Sequence, residues 1–311
     1  MKIGGHEIDI SNRAKVFFPD AGLTKGDLID YYEQIADVML PHIKRYPVSM
    51  ERFPDGLQGE GFYNRDAPDY FPPWIRRVTF PKREGGSFEA PIMDSKAALT
   101  YMADQAVLTP HLYLARYDDL EHPDRMIYDL DPPEDGADFE PVRRAALDLH
   151  EVMGELDLMA WVMTTGSKGL HVVVPLDRRD HFAAVRGFAR ELALVLVRRH
   201  PDRCTLEQRK AKRAGKVFLD VLRNSYGATA VAPYAVRARP GAPVATPLEW
   251  EEVGRGGLGP RDWTIRNVLE RLAHRPDPWS GMMRHARSAS ARRERLRAML
   301  AREEPAEEEL D

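Results

Sequence analysis

Between Lys25 and Arg45 the residues Leu28, Tyr31, Ile35, Val38 and Met39 recur three or four positions apart, the spacing that gathers side chains on one face of a helix. Thr24 stands just ahead, where a hydroxyl can accept from the first free backbone N–H groups, so the stretch is predicted as an amphipathic core helix. From Tyr46 to Glu89 the pattern breaks into short apolar and aromatic runs among prolines and glycines, which predicts short strands joined by turns. A linker is expected near Pro110 to Pro123. Beyond it strands and helices alternate. Arg125 to Leu130 predicts a strand, and Asp138 is placed as the cap of a helix to about Leu156. Ala160 to Thr165 and His171 to Leu176 predict two strands around a glycine turn. Asp180 is placed as the cap of a second long helix ending near His200, and Lys216 to Leu222 as another strand. This alternation predicts a sheet covered by helices. Arg284 to Asp311 is Arg-rich and then Glu-rich, which predicts a helix fraying into a solvated tail.

Composition narrows the class. A hydrophobic content of 43% over 311 residues is that of a globular protein with a true core. The one cysteine, Cys204, excludes an internal disulfide and suits a reducing compartment. No basic segment followed by an apolar core opens the chain, and the densest apolar run, Leu192 to Val197, is far short of the ~20 residues a membrane span needs. The expectation is a soluble, cytoplasmic protein without a membrane partner. Net charge is −4, but Glu303, Glu304, Glu307, Glu308, Glu309 and Asp311 lie in the last nine residues, which hold no base. The remainder is therefore mildly basic, compatible with a nucleic-acid partner.

The candidate chemistry begins with Asp129 and Asp131, two apart on a predicted strand and so on one face, just before Pro132-Pro133. Carboxylates suit hard cations such as magnesium and manganese; an Asp-x-Asp pair alone also fits a solvated turn. Asp220 lies inside the apolar run Val217 to Leu222, where a charge is costly unless paired or metal-bound. Arg223 is read as pointing away from it. Three such carboxylates can hold two ions for phosphoryl transfer. Between them Thr164-Thr165-Gly166-Ser167-Lys168-Gly169-Leu170-His171 joins two strands, with glycines that admit an anion to the backbone and with hydroxyl, ammonium and imidazole donors. It is not a Walker loop, and an ordinary hairpin turn would leave Lys168 and His171 together unexplained. Arg203, Arg209, Lys210, Lys212, Arg213 and Lys216 cluster just before Asp220, either as a solvated face or as a path for a phosphate backbone.

These residues carry a resemblance. Tyr128-Asp-Leu-Asp-Pro-Pro133, Thr165-Gly-Ser-Lys-Gly-Leu-His171, Phe218-Leu-Asp-Val-Leu-Arg-Asn224 and Gly227 to Ala242 are similar to the motifs of the polymerase module of bacterial ligase D. That module is a member of the archaeo-eukaryotic primase superfamily. The likeness also takes in Val16 to Tyr32 and His122 to Arg125, and runs from about Ile8 to Trp279. It implies an α+β primase-polymerase fold, an RRM-like catalytic sheet packed with a second α/β unit. The implied division is 1–115 for an N-terminal unit that grips a DNA 5′-phosphate, 116–283 for the catalytic unit and 284–311 for a charged tail.

By the resemblance, Asp129, Asp131 and Asp220 bind two Mn2+ or Mg2+ ions, Thr165, Lys168, His171 and Arg237 meet the incoming triphosphate, and His111 lies near its sugar. Lys15 and Lys25 hold a 5′-phosphate, and Phe62 and Tyr63 stack on the DNA end. Read alone, Lys15 and Lys25 look like solvated surface and His111 like a core histidine. The implied function is gap filling and end extension in bacterial non-homologous end joining, with gapped or broken DNA, NTP or dNTP, Ku and a DNA ligase as partners, close to the nucleoid. Glu51, Arg65 and Asp66 depart from the family pattern, at positions taken to affect DNA-end binding. Neither ligase nor nuclease sequence accompanies the module in these 311 residues, which fits either an excised module or a stand-alone homologue, the acidic ending favouring the latter. Two rivals remain: a glycosyltransferase using Asp-x-Asp, which leaves Asp220 and the basic cluster unexplained, and a non-catalytic DNA-end-binding module, against which stand three intact carboxylates.

Overall fold

The computed structural model describes residues 1–133 and 138–303; the acidic residues from Glu304 to Asp311 lie outside them. The first predicted helix spans Lys25–Ile43, and the Thr24 hydroxyl accepts from Asp27 N at 3.2 Å while the Asp27 carboxylate accepts from Thr24 N at 2.7 Å. This reciprocal pair satisfies two backbone donors that the first turn leaves free. Leu28, Tyr31, Ile35 and Met39 are its buried face.

Two antiparallel arrays organise the chain. A six-stranded sheet runs, in spatial order, Cys204–Thr205, Val217–Asp220, Arg125–Asp131, Leu170–Pro175, Trp161–Thr164 and Pro247–Leu248, with only the first pair parallel. A four-stranded sheet runs Thr229–Val231, Val107–Tyr113, Val48–Arg52 and Phe62–Asn64. The mixed α and β architecture is that of the expected primase-polymerase fold.

Alternation decides what each face of the larger sheet does. Met126, Tyr128 and Leu130, with Val172, Val174, Val217 and Leu219, join one core with the helices Glu140–Glu155 and Phe182–Arg199. Ile127 and Val173, of the other parity, join a second core with the Lys25–Ile43 helix and the smaller sheet. Asp129, Asp131, His171 and Asp220 share that second parity. The four-stranded sheet takes an edge strand from Thr229–Val231, and Trp279 is buried in the same core, donating its indole N–H to Val162 O at 3.1 Å.

Four local expectations are corrected. Pro110 is not linker but sits in the buried Val107–Tyr113 strand, where its carbonyl accepts from Ala232 N at 3.0 Å. Asp180 does not cap the Phe182–Arg199 helix, because its carboxylate instead accepts from Ser288 Oγ and Ser290 N at 3.0 and 3.1 Å. The last strand stops at Asp220, since the Asp220 carboxylate accepts from Leu222 N at 2.8 Å and starts a turn of 3-10 helix, Leu222–Asn224. Nor does Asp138 cap the Glu140–Glu155 helix: Phe139 stands at the N-cap, and Asp138, one residue earlier, accepts from Glu140 N at 2.9 Å. The expected helix of the Arg-rich end is present as Arg293–Arg302, burying Leu296 and Met299 in the core that holds Phe182–Arg199, and the acidic tail after it lies outside the described residues. No helix among the described residues is long and apolar enough to cross a membrane.

Candidate active site

The strand registers set Asp129 opposite Asp220 on one side and opposite His171 on the other. Directly paired residues lie ~4.5–5.5 Å apart at their Cβ atoms, so residues distant in sequence meet on one patch of sheet. Asp129 is buried; its carboxylate lies 3.5 Å from His171 Nε2 and 3.2 Å from Arg223 Nε. Burial works to raise its pKa, but His171 and Arg223 outweigh it and hold the group at about 2. Asp131 is shifted the other way, by burial first and then by the neighbouring charge of Asp129.

Arg223 is the main correction here. Because the strand ends at Asp220, residue 223 no longer follows strand alternation. Asn224 pins the turn by accepting from Ile127 N at 2.8 Å and donating to Ile127 O at 2.7 Å. The Arg223 guanidinium therefore reaches back, within 3.2 Å of Asp129 and 3.9 Å of Asp220.

The Thr165–His171 loop borders the same patch. The Thr165 hydroxyl accepts from Gly169 N and Ser167 N at 3.2 and 3.3 Å, closing the turn. Gly166 has φ +63° and a Cβ there would lie 2.8 Å from Arg237 Cγ; a Cβ on Gly169 would lie 2.1 Å from Leu130 O. The glycines thus let the loop press against both the carboxylate strand and Arg237. Arg237 donates to Thr165 O at 2.7 Å, while its Nε, and Nδ1 of His171, are buried with no partner among the described residues. Leaving such polar atoms unpaired costs ~1–3 kcal/mol each, and for the Arg237 N–H a bound anion would recover it. Lys168 lines the cleft and makes no ion pair among the described residues.

The opposite wall comes from the smaller sheet. Ser49, Glu51, Tyr63, His111 and Val231 are placed there by the registers Ser49↔His111, Glu51↔Tyr63 and Val231↔His111. His111 is thus a cleft residue, buried at the wall rather than in the core. The cleft has a volume of about 520 Å³ and is lined from both sheets, with Arg65, Lys210 and Arg239 also at its margin. Of the flagged departures, Glu51 belongs to this wall, with its carboxylate 3.3 Å from His111 Nε2. Asp66 instead accepts from Glu89 N at 2.9 Å.

The DNA-end candidates are placed apart from this cleft, except Tyr63. Lys15 is exposed and paired with Asp55 at 2.6 Å. Lys25 is not solvated surface: its ammonium meets Asp104 at 2.6 Å, Ser11 O at 2.8 Å and Ser11 Oγ at 3.0 Å. Phe62 and Tyr63 are exposed, and being consecutive on a strand they face opposite ways, Phe62 toward Arg52 and Tyr63 toward His111. Within the basic cluster Arg213 is buried, donating to Glu207 O and Gln208 O and stacked 4.0 Å over Phe218, and Arg203 pairs with Asp148.

No group of three or more His, Cys, Asp or Glu among the described residues is closed up as a ready metal site. The residues nonetheless fit divalent ions. The donors are all carboxylate oxygens, the ligand type that hard cations take. Crowded negative charge already draws in a guanidinium and raises the pKa of Asp131.

Nothing in the sequence singles out Ser49 or Arg239 for this cleft, and Arg65 stands out only as a departure from the family pattern. The parity of Ser49 with Glu51 was available, but which strand would lie beside theirs was not.

Comparison with known proteins agrees with this geometry. The family model described as the LigD primase-polymerase domain matches residues 24–279. The multifunctional non-homologous end joining protein LigD of Mycolicibacterium smegmatis is 35% identical over 267 residues, 85% of this chain and 34% of that protein. The protein of the same description from Pseudomonas aeruginosa is 33% identical over 275 residues, 88% of this chain and 32% of that one. The chain thus spans about a third of the length of these curated relatives. The solved polymerase domain from Mycobacterium tuberculosis ligase D, in complex with DNA, superposes with a TM-score of 0.84 at 32% identity, over 90% of this chain and 99% of that one.

Proposed function

The chain belongs to the LigD primase-polymerase family, and on that premise we propose that it is a repair nucleotidyltransferase that fills gaps and extends DNA ends, preferring ribonucleotides. The observation that carries this is the convergence of Asp129 and Asp131 with the Thr165–His171 loop and Arg237 in one cleft, with Asp220 in register beside Asp129 on the next strand. Asp129, Asp131 and Asp220 would hold two Mn2+ or Mg2+ ions. When bound, such ions acidify an attacking hydroxyl and offset charge on a leaving pyrophosphate. Lys168, His171 and Arg237 would bind the triphosphate and offset its developing charge. His111 would meet the sugar, and Thr165, whose hydroxyl also closes the loop, would contact the triphosphate. The description of the relatives as non-homologous end joining proteins, and the DNA in the solved polymerase domain, support a DNA substrate and a place in that repair; broken or gapped ends, Ku and a ligase as partners, and a cytoplasmic place near the nucleoid are further parts of the proposal. The division into an N-terminal end-binding unit (1–115), a catalytic unit (116–283) and a charged tail (284–311) belongs to the same reading. Incorporation of labelled nucleotide into a one-nucleotide gap tests it; turnover of a UDP-sugar with no incorporation would favour the glycosyltransferase instead.

Lys15 and Lys25 would hold a 5′-phosphate on the downstream strand, Lys25 only by sharing with it the ammonium that Asp104 holds at 2.6 Å, while Phe62 and Tyr63 would stack on the end. Gel-shift affinity for gapped DNA is expected to fall when that phosphate is removed, and Lys15→Ala to lose most of the difference. Charge-assisted bonds of this kind contribute ~1.5–3 kcal/mol. Equal affinities for the two DNAs in the unmutated protein would dismiss the assignment.

Arg223 would have to release Asp129 for ions to enter. Breaking that charged hydrogen bond costs ~1.5–3 kcal/mol, so Arg223→Leu is expected to bind Mn2+ roughly 10- to 100-fold more tightly. Free Mn2+ followed by electron paramagnetic resonance reads this without activity. Unchanged or weaker binding would show that Arg223 does not compete with the ion.

A further inference from the structure

Glu51 and His111 form a pair on the cleft wall that the reaction chemistry above does not use. Ser49 and Glu51 lie on one face of the Val48–Arg52 strand, with His111 in register with Ser49 and Tyr63 in register with Glu51. The Glu51 carboxylate is 3.3 Å from His111 Nε2, and both side chains are mostly buried, at 15% and 11% exposure. The exposed Tyr63 ring lies 5.5 Å from the His111 ring. His111 lines the cleft, and its Nδ1 makes no hydrogen bond among the described residues.

Protonation states follow from the surroundings. Burial pushes the His111 pKa down, Glu51 opposes this, and Arg237 adds to the lowering, so the ring is neutral near pH 7. Burial works to raise Glu51, but His111, Arg237 and Thr109 outweigh it and keep the carboxylate charged. A carboxylate cannot donate, so at the Glu51 contact the imidazole must be the donor. A neutral imidazole carries one N–H; spent on Glu51, it leaves Nδ1 able only to accept.

We propose that Glu51 is a positioning residue for nucleotide sugar selection: it holds His111 as the Nε2–H tautomer, so that the bare Nδ1 reads a hydroxyl donor on the incoming sugar. This rests on the polymerase reading and adds to it the residue that sets the selectivity. A ribose offers a 2′-hydroxyl, which can donate, where a deoxyribose offers only C–H. Without Glu51 the tautomers exchange, and the sugar-facing nitrogen acts as donor part of the time. The selectivity would then fall even with His111 intact.

The test is equilibrium binding of ATP and dATP to the whole chain with Mn2+, alongside competition between the two nucleotides on a one-nucleotide gap opposite thymine. Glu51→Gln retains an oxygen that accepts the same hydrogen and should keep the ATP-to-dATP affinity ratio within about twofold. Glu51→Met has similar length but no oxygen acceptor, and should lower the ratio at least about fivefold, as should His111→Ala. Nitrogen-15 NMR of His111 should show a bare Nδ1 in the wild type and Glu51→Gln, and exchanging tautomers in Glu51→Met. The proposal is overturned if Glu51→Met keeps the wild-type ratio, if Glu51→Gln loses as much as Glu51→Met, or if the wild type binds both nucleotides equally. Because binding is read apart from chemistry, failure to incorporate any nucleotide would count against the polymerase reading alone.

Discussion

Asp129→Ala and Asp220→Ala are each expected to abolish nucleotide addition on gapped DNA while leaving DNA binding intact. The two carboxylates face each other across adjacent strands, and Asp129 is held ionised at neutral pH, with a pKa of about 2. Removing one charged partner from a buried cluster costs ~3–5 kcal/mol, or about two to nearly four orders of magnitude in rate if it is all lost from the transition state. DNA affinity should persist because Lys15 and Phe62 lie outside this patch. Normal extension by either variant under saturating manganese would remove both residues from the metal site. Stability should separate them from their neighbour. Asp129 is stabilised as an anion in the fold, whereas burial and Asp129 itself disfavour charge on Asp131. Asp131→Asn should therefore be at least as stable as the parent in thermal melts while losing activity.

Lys25→Met is expected to be the most destabilising change near the DNA-end residues. Lys25 opens the Lys25–Ile43 helix, where a cation opposes the helix dipole. It is tolerated because Asp104, whose side chain is only 3% exposed, pairs with it at 2.6 Å, while Ser11 takes its other hydrogens. Among the described residues, substitution leaves Asp104 with only Ser11 N and Gln105 as donors. An uncompensated buried charge of this kind costs ~3–5 kcal/mol, a fall in melting temperature of roughly 5–15 °C. Lys25→Met with Asp104→Leu should recover much of the loss, because the stranded charge is gone. A single variant that melts with the wild type would show that Asp104 readily finds solvent. Loss of DNA affinity in Lys25 variants must be read beside these melts, whereas Lys15, exposed and paired with exposed Asp55, should report on phosphate alone.

Local pattern carried much of the fold. The three- and four-residue spacing from Leu28 to Met39 was enough for the first long helix, and a hydroxyl at Thr24 was enough for its start. Two-residue alternation put Asp129 and Asp131 on one face, and the glycines at 166 and 169 marked the tight loop. These are short-range consequences of backbone geometry, readable within a few residues. The resemblance added His111, Arg237 and the lysines, which no periodicity would have singled out.

Only the tertiary structure decided which faces meet. That Asp129 lies opposite both Asp220 and His171 depends on strand registers joining residues up to 91 positions apart, and nothing local to Asp129 specifies them. Arg223 was misread because strand alternation was carried past Asp220, where a side chain–backbone hydrogen bond ends the strand and a 3-10 turn aims the guanidinium back. Lys25 looks like surface in the sequence because its partner, Asp104, comes from the end of another helix. Glu51 was visible as an unusual acidic residue, but its place beside His111 follows from pairing of strands about 60 residues apart. The chain's own alternation determined which side chains share a face; long-range strand pairing and burial decided what each face meets, and hence which charges became a site.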